Sequence, residues 1–308
     1  MRIGGGAAVW MLGLLLAASA QAAPVVQTLP LWPAGQWPPV VQGPEQSRAH
    51  AGKPGVVTGV SAPRLEIYRP QHPNGMAVLV FGGGGYARIE VGAEAQPAAQ
   101  WLQSQGITAA VVYYRLPEDG WAPAAPFQDG QRAMRLLRAR AGELGIDPAR
   151  IGVMGFSAGG NLAGIVGTRF NGHFYAPVDA TDRISARPDF MALLYPVVSL
   201  QPALGHTHAQ KELSRQPDAV EAYSVELHVH RDSPPMFLAQ AEDDPIASVD
   251  NSKVLDAAAR AAGVPVELHL FPHGGHGWGL GKAGSPEAQW PAMFMRWARQ
   301  RGLLEARP

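Results

Sequence analysis

Ile151-Gly152-Val153-Met154-Gly155-Phe156-Ser157-Ala158-Gly159-Gly160 is the stretch on which the reading turns. Its first four residues form an apolar strand-like run, and a small-residue helical pattern follows to about Phe170, so Ser157 falls on the turn between strand and helix. A serine on so sharp a turn sits in strained backbone, and neighbouring chain can approach only where the flanking residues are small. Gly155, Ala158, Gly159 and Gly160 meet that need. The helix start also points free N–H groups and a positive dipole end at the serine, which favours negative charge developing there. A glycine-rich phosphate or packing turn, the bland alternative for G-x-S-x-G, does not require this strand, helix and small-neighbour context.

Outward from this turn, short apolar runs alternate with longer amphipathic ones. Ala77–Phe81, Ile107–Tyr114, Ile151–Met154, Phe190–Tyr195, Met236–Ala241 and Val266–Phe271 read as strands. Asp129–Leu144, Asp250–Ala262 and Gln289–Arg301 read as helices. The alternation predicts an α/β fold, a doubly wound and mostly parallel sheet with helices on both faces. Asn171–Arg187 and Ser199–Ser233 interrupt it with Pro, His and charged residues. Insertions of this kind gather at the carboxyl edge of the sheet, so both are expected to face a substrate.

The other strand ends carry the remaining chemistry. Ala77–Phe81 runs into Gly82-Gly83-Gly84-Gly85-Tyr86, where bare backbone can come within about 3 Å of a developing oxyanion. Gly83 and Gly84 are the expected donors from this loop, and Ala158, the residue after the nucleophile, is the expected third. The run lacks the G-x-G-x-x-G spacing of a dinucleotide turn. Met236–Ala241 ends in Glu242-Asp243-Asp244-Pro245, and Val266–Phe271 ends in Pro272-His273-Gly274-Gly275-His276-Gly277-Trp278-Gly279. Serine, acid and histidine thus follow in the chain order of an α/β-hydrolase. A histidine must take the serine proton and return it to the leaving alcohol, while a carboxylate fixes its tautomer. Asp243 competes with Asp244, and His273 with His276. Asp244 is preferred because it directly precedes Pro245-Ile246 at the turn, and His276 because glycine on both sides frees its approach. Glu242, Asp243 and His273 otherwise read as loop-capping or solvated positions.

Composition bounds the rest. With 308 residues and 46% hydrophobic content, the chain suits one large α/β domain, expected over residues 64–305. Its 25 basic and 25 acidic residues leave no net charge, so neither nucleic acid nor an anionic membrane is an expected partner. Residues 1–22 hold one charge, Arg2, an apolar stretch from Ala7 to Ala18 and a small-x-small ending, Ala20-Gln21-Ala22. These are the marks of a cleaved export signal, shorter and more glycine-interrupted than a membrane span. A periplasmic or secreted chain is therefore expected, with residues 23–63, rich in Pro, Gly and Gln, as an extended arm over the domain. The absence of cysteine excludes disulfides, a thiol nucleophile and a lipidated cysteine after the signal. The pairs His206/His208 and His228/His230 have i, i+2 spacing open to metal ligation from one strand face, but no H-E-x-x-H accompanies them, so no metal and no other cofactor is expected.

Together these segments resemble the acetyl-esterase and feruloyl-esterase-like branch of the α/β-hydrolases, a group found with xylan-degrading enzymes. The resemblance is carried by Phe81–Tyr86, Tyr114-Arg115-Leu116-Pro117, Asp129 with its Arg-rich helix, Gly152–Asn161, Pro234–Asp244 with Asn251-Ser252, and Val266–Gly279. It spans about Ser61 to Gly302, with one departure: Gly82 stands where many relatives have histidine or proline. It implies a serine carboxylic ester hydrolase, with Arg115 and Asp129 in structural roles. Removal of O-acetyl groups from carbohydrate fits the export signal, the neutral charge and the aromatic residues Tyr86, Trp121 and Trp278 near the loops. The alternatives are a small-molecule or feruloyl esterase, or an exopeptidase of the same fold, although the latter would usually carry a further large domain or acidic amine anchors; a silent binding protein is disfavoured because every triad position is filled. Glycosidase chemistry would need two facing carboxylates, for which nothing here speaks.

Overall fold

The computed structural model describes residues 1, 26–35, 44–50, 53–204 and 206–305. The expected export signal lies outside the described residues apart from Met1. In chain order the strands are β1 (Val26–Pro30), β2 (Gln46–His50), β3 (Lys53–Thr58), β4 (Arg64–Tyr68), β5 (Ala77–Phe81), β6 (Ile89–Glu90), β7 (Thr108–Tyr113), β8 (Ile151–Phe156), β9 (Met191–Leu194), β10 (Met236–Ala241) and β11 (Val266–Phe271). The helices are α1 (Gln96–Ser104), α2 (Ala125–Ala139), α3 (Ala141–Leu144), α4 (Ala158–Thr168), α5 (His208–Leu213), α6 (Ala219–Tyr223), α7 (Asp250–Ala261) and α8 (Trp290–Gln300).

The main sheet runs β1-β4-β7-β5-β8-β9-β10-β11. The six strands from β7 to β11 pair in parallel, and β4 and β1 add an antiparallel edge. Every residue of β5, β7, β8, β9 and β10 is buried, which is why these strands are nearly continuous apolar runs.

Register and packing locate the two helical layers. Phe81 of β5 pairs with Gly155 of β8, so both side-chain positions point to one face. There Gly155 meets the backbone of α4, and Phe81 lies beside Gly130 of α2. The next residue, Phe156, points to the other face and packs on Trp290 of α8, with ring centroids 6.2 Å apart. Trp290 in turn meets Trp101 of α1 at 5.3 Å. Helices α2 and α4 thus cover one face, and α1 and α8 the other.

The strand and helix expectations hold with shifts at their ends. The helix read from Asp129 begins a turn earlier, because Pro126 suits a first helical turn, and it breaks at Arg140 into α2 and α3. Of the expected arm, Val26–Pro30 forms edge strand β1 on β4, and Leu31 and Trp32 are buried in the core. Strand β3 pairs with β2 on one side and β6 on the other in a separate small sheet. Trp32 donates its indole N–H to Asp129 (2.7 Å), which is also paired with Arg115 at 2.8 Å, both side chains being buried.

Candidate active site

Ser157 has φ 53° and ψ −119° at the start of α4, a strained conformation that persists only where the surroundings hold it. Its N–H donates to the Leu194 carbonyl (3.1 Å), and its carbonyl accepts from Gly160, Asn161 and Val197. A Cβ on Gly155 would stand 2.1 Å from the Gly159 carbonyl oxygen, and one on Gly159 would stand 2.3 Å from that of Phe81. Only glycine lets β8, α4 and the end of β5 meet backbone to backbone. Among the described residues, the non-glycine positions with positive φ are Tyr86, Ser157 and Tyr195, and all three border this centre.

The loops after β10 and β11 deliver the other two groups. His276 Nε2 lies 2.7 Å from Ser157 Oγ, and its Nδ1 lies 2.7 Å from Asp244 Oδ2. A proton on Nδ1, facing the carboxylate, leaves Nε2 to accept the serine hydroxyl. Asp244 is fixed in turn, since its Oδ1 accepts the N–H groups of Ile246 and Ala247, each at 2.9 Å. Of the two competing pairs, Asp243 and His273 form the other, at 3.3 Å on the surface. Asp243 also accepts the Gly275 N–H (2.8 Å), which holds its carboxyl below the usual range and braces the histidine loop.

In the glycine loop the expected donors separate. The N–H groups of Gly84 and Ala158 make no hydrogen bond within the described residues. Gly83 departs from expectation: its N–H donates to Glu94 Oε2 at 2.6 Å, so a carboxyl already occupies it. Gly82, the departure from the family pattern, does not leave the loop slack. Tyr114 donates its hydroxyl to the Gly82 carbonyl (2.8 Å), and buried Tyr86 donates to Asn161 Oδ1 of α4 (2.8 Å).

Glu94 is the residue that sequence reasoning missed. It lies in a π-helical turn, Val91–Ala95, that opens α1. Its Oε1 accepts the Tyr195 hydroxyl at 2.9 Å. Burial pushes its pKa up to about 7, against the pull of the Gly83 N–H and that hydroxyl. A signal was present, because Glu94, Ala98 and Leu102 share one helical face and the other two are plainly core residues.

Ser157, His276, Gly84 and Glu94 border a cavity of about 310 Å³. Arg88, Glu90 and His208 give it a polar side, and Val197, Ala209 and Ile246 an apolar one. The Ser199–Ser233 stretch therefore reaches the cavity, through Thr207, His208 and Ala209. Asn171–Arg187 does not, because Asp179 and Asp182 tie it to Arg132 of α2 at 2.5 and 2.9 Å. The aromatic candidates for sugar stacking are packing residues instead. Tyr86 is buried, Trp121 lies under the Arg115 guanidinium (5.0 Å), and Trp278 packs on Tyr195 (4.4 Å).

Three histidines of the two pairs have local partners. His228 and His230 meet the carbonyls of Glu221 (2.7 Å) and Thr168 (3.2 Å). His208 stands between Glu118 (3.7 Å) and Glu212 (3.6 Å) at the cavity rim. Lys211 and Arg215 also approach Glu212, which makes this an ion-pair network with both signs of charge.

The model of the BD-FAE family matches residues 65–258, most of the described sheet. The chain belongs to the BD-FAE family. This BD-FAE chain is 33% identical over 225 residues to an acetylxylan esterase of Xylanibacter ruminicola, covering 71% of this chain and 44% of that protein. It is 31% identical over 211 residues to endo-1,4-beta-xylanase B of Butyrivibrio fibrisolvens, covering 65% and 32%. It therefore spans less than half the length of either relative. Among solved structures, an acetyl ester-xyloside bifunctional hydrolase of Caldicellulosiruptor lactoaceticus superposes with a TM-score of 0.76 at 35% identity, covering 92% of this chain and 99% of that one. Esterase 2 of Thermogutta terrifontis, at TM-score 0.70 and 24% identity, covers 81% and 93% and shares the α/β-hydrolase fold.

Proposed function

We propose that this chain is a serine carboxylic ester hydrolase that removes O-acetyl groups from carbohydrate. The observation that carries the reading is the continuous hydrogen-bonded run from Ser157 through His276 to Asp244, open to the cavity. In the first step His276 Nε2 takes the hydroxyl proton as Ser157 Oγ attacks the ester carbonyl. The Gly84 and Ala158 N–H groups receive the oxyanion, at a helix start whose dipole favours it. The proton then passes to the departing sugar hydroxyl, leaving an acyl-enzyme. Water, activated by the same histidine, releases acetate and restores the serine. Asp244 stays ionised throughout and stabilises the imidazolium.

The substrate class is supported by the names of the acetylxylan esterase and xylanase relatives above and by the mixed cavity wall. Arg88, Glu90 and His208 offer hydrogen bonds to a hydroxylated alcohol, while about 310 Å³ leaves room for a small acyl group beside it. Turnover of a short aryl acetate, with a fluorophosphonate mass adduct on Ser157, tests the mechanism independently of the natural substrate. Absence of both would contradict it.

Export belongs to the same proposal. Cleavage after Ala22 predicts a recovered chain starting at Ala23, which intact mass of the protein from expressing cells would reveal. An intact Met1 on the exported protein would contradict it.

A further inference from the structure

Glu94 is a buried carboxyl at this centre that the Ser157, His276 and Asp244 run does not use. Its Oε2 accepts the Gly83 N–H (2.6 Å) and its Oε1 the Tyr195 hydroxyl (2.9 Å). That hydroxyl accepts the Gly279 N–H at 3.0 Å. Gly83 precedes Gly84 in the glycine loop, and Gly279 lies three residues beyond His276. The turn carrying Glu94 also touches the histidine loop directly, since a Cβ on Gly279 would stand 2.5 Å from the Ala93 carbonyl oxygen. The Tyr195 ring lies edge-on to the His276 ring at 4.9 Å.

We propose that Glu94, as a carboxylate, is a positioning residue that holds the glycine loop and the histidine loop in register with each other. The inference rests on the serine reading above. Only an ionised carboxyl accepts from both Gly83 and Tyr195; protonation turns one oxygen into a donor facing another donor. The buried Gly83 N–H or the Tyr195 hydroxyl then loses its acceptor, and the loop it anchors is released. Burial brings this change to about neutral pH, where an esterase works. The titratable groups around Glu94 are Glu90 from β6, Tyr114 beyond β7, Tyr195 beyond β9 and His276 beyond β11, with Arg88 and His208 on the shared cavity wall. Of these, Glu90 raises the Glu94 pKa, whereas the Tyr195 hydrogen bond and His276 lower it.

The test is the pH profile of kcat and KM for aryl acetate hydrolysis in the full mature chain, comparing wild type, Glu94→Gln, Tyr195→Phe and Ser157→Ala. Glu94→Gln is expected to lower kcat roughly 10- to 100-fold with little change in KM, and to delete one acid-side ionisation. Tyr195→Phe removes a bond that favours the ionised carboxyl, so its acid limb moves to higher pH. Glu94→Gln with wild-type kcat and an unchanged profile overturns the inference. So does Tyr195→Phe with an unmoved acid limb, and that variant carries the test if Glu94→Gln does not fold. Turnover retained by Ser157→Ala removes the serine reading and the inference with it, whereas an inactive Ser157→Ala beside an unaltered Glu94→Gln removes the inference alone.

Discussion

His276 and Asp244 meet at 2.7 Å from loops that leave two neighbouring parallel strands, β11 and β10, only a few residues past their paired ends at Phe271 and Ala241. Short loops on a rigid sheet edge are what hold the two groups this close. Asp243 and His273, one and three residues away, make a parallel contact on the solvent side.

His276→Ala is therefore expected to lower aryl acetate kcat by roughly 10⁴-fold or more, because the members of such a unit fail together. His273→Ala, at an exposed ring, is expected to stay within a few-fold of wild type. Steady-state kinetics on both variants decides between the two histidines, and the opposite pattern would assign the base to His273.

Glu94 also makes stability depend on pH. Its folded pKa, about 7, lies above the ordinary 4.5, so the folded state holds a proton that the unfolded chain releases first. This contribution is complete below about pH 4.5 and is lost as pH rises through about 7. Relative to Glu94→Gln, the wild type is expected to lose on the order of 3 kcal/mol across that window. Urea denaturation of both proteins at pH 5 and pH 8 checks the sign; a gap that is constant with pH would contradict it.

The central parallel strands were legible because strands buried on both faces must be apolar throughout, and β5 and β10 end where their runs stop; edge strand β11 is half-buried and was legible from its alternating apolar positions. Ser157, Asp244 and His276 were legible because each follows such a run. The antiparallel edge was not: β4, Arg64–Tyr68, alternates polar and apolar residues over only five positions, and β1 lies in a Pro-rich segment. The helical face of Glu94 marked it as buried, but its partners were not legible, because Tyr195 lies 101 residues on and Gly83 sits in another loop. The aromatic residues were misplaced for a related reason. Composition does not tell a ring facing a cavity from one packed under Arg115 or on Tyr195.

Asp129→Ala is expected to destabilise the fold by roughly 3–5 kcal/mol, since it leaves the Arg115 guanidinium buried without its carboxylate. Trp32 loses its 2.7 Å acceptor in the same step. Chemical denaturation should reveal the loss while kcat of the folded fraction stays near wild type. A fall in kcat at full stability would instead place this pair in the reaction.

Gly159→Ala puts a methyl group 2.3 Å from the Phe81 carbonyl oxygen, where backbone must move. The expected cost is about 1–3 kcal/mol of stability, with a loss of activity larger than that of a comparable change elsewhere on α4. Thermal unfolding alongside aryl acetate kinetics checks both, and unchanged values would mean that the close approach of β5 to the elbow is not needed.

The most direct measurement is acetate release from acetylated xylan by the purified mature chain beside its Ser157→Ala variant. Release by the wild type that vanishes in the variant is the expected result. Aryl acetate turnover without release from the polymer would contradict the carbohydrate substrate, and release that persists in Ser157→Ala would contradict the serine mechanism itself.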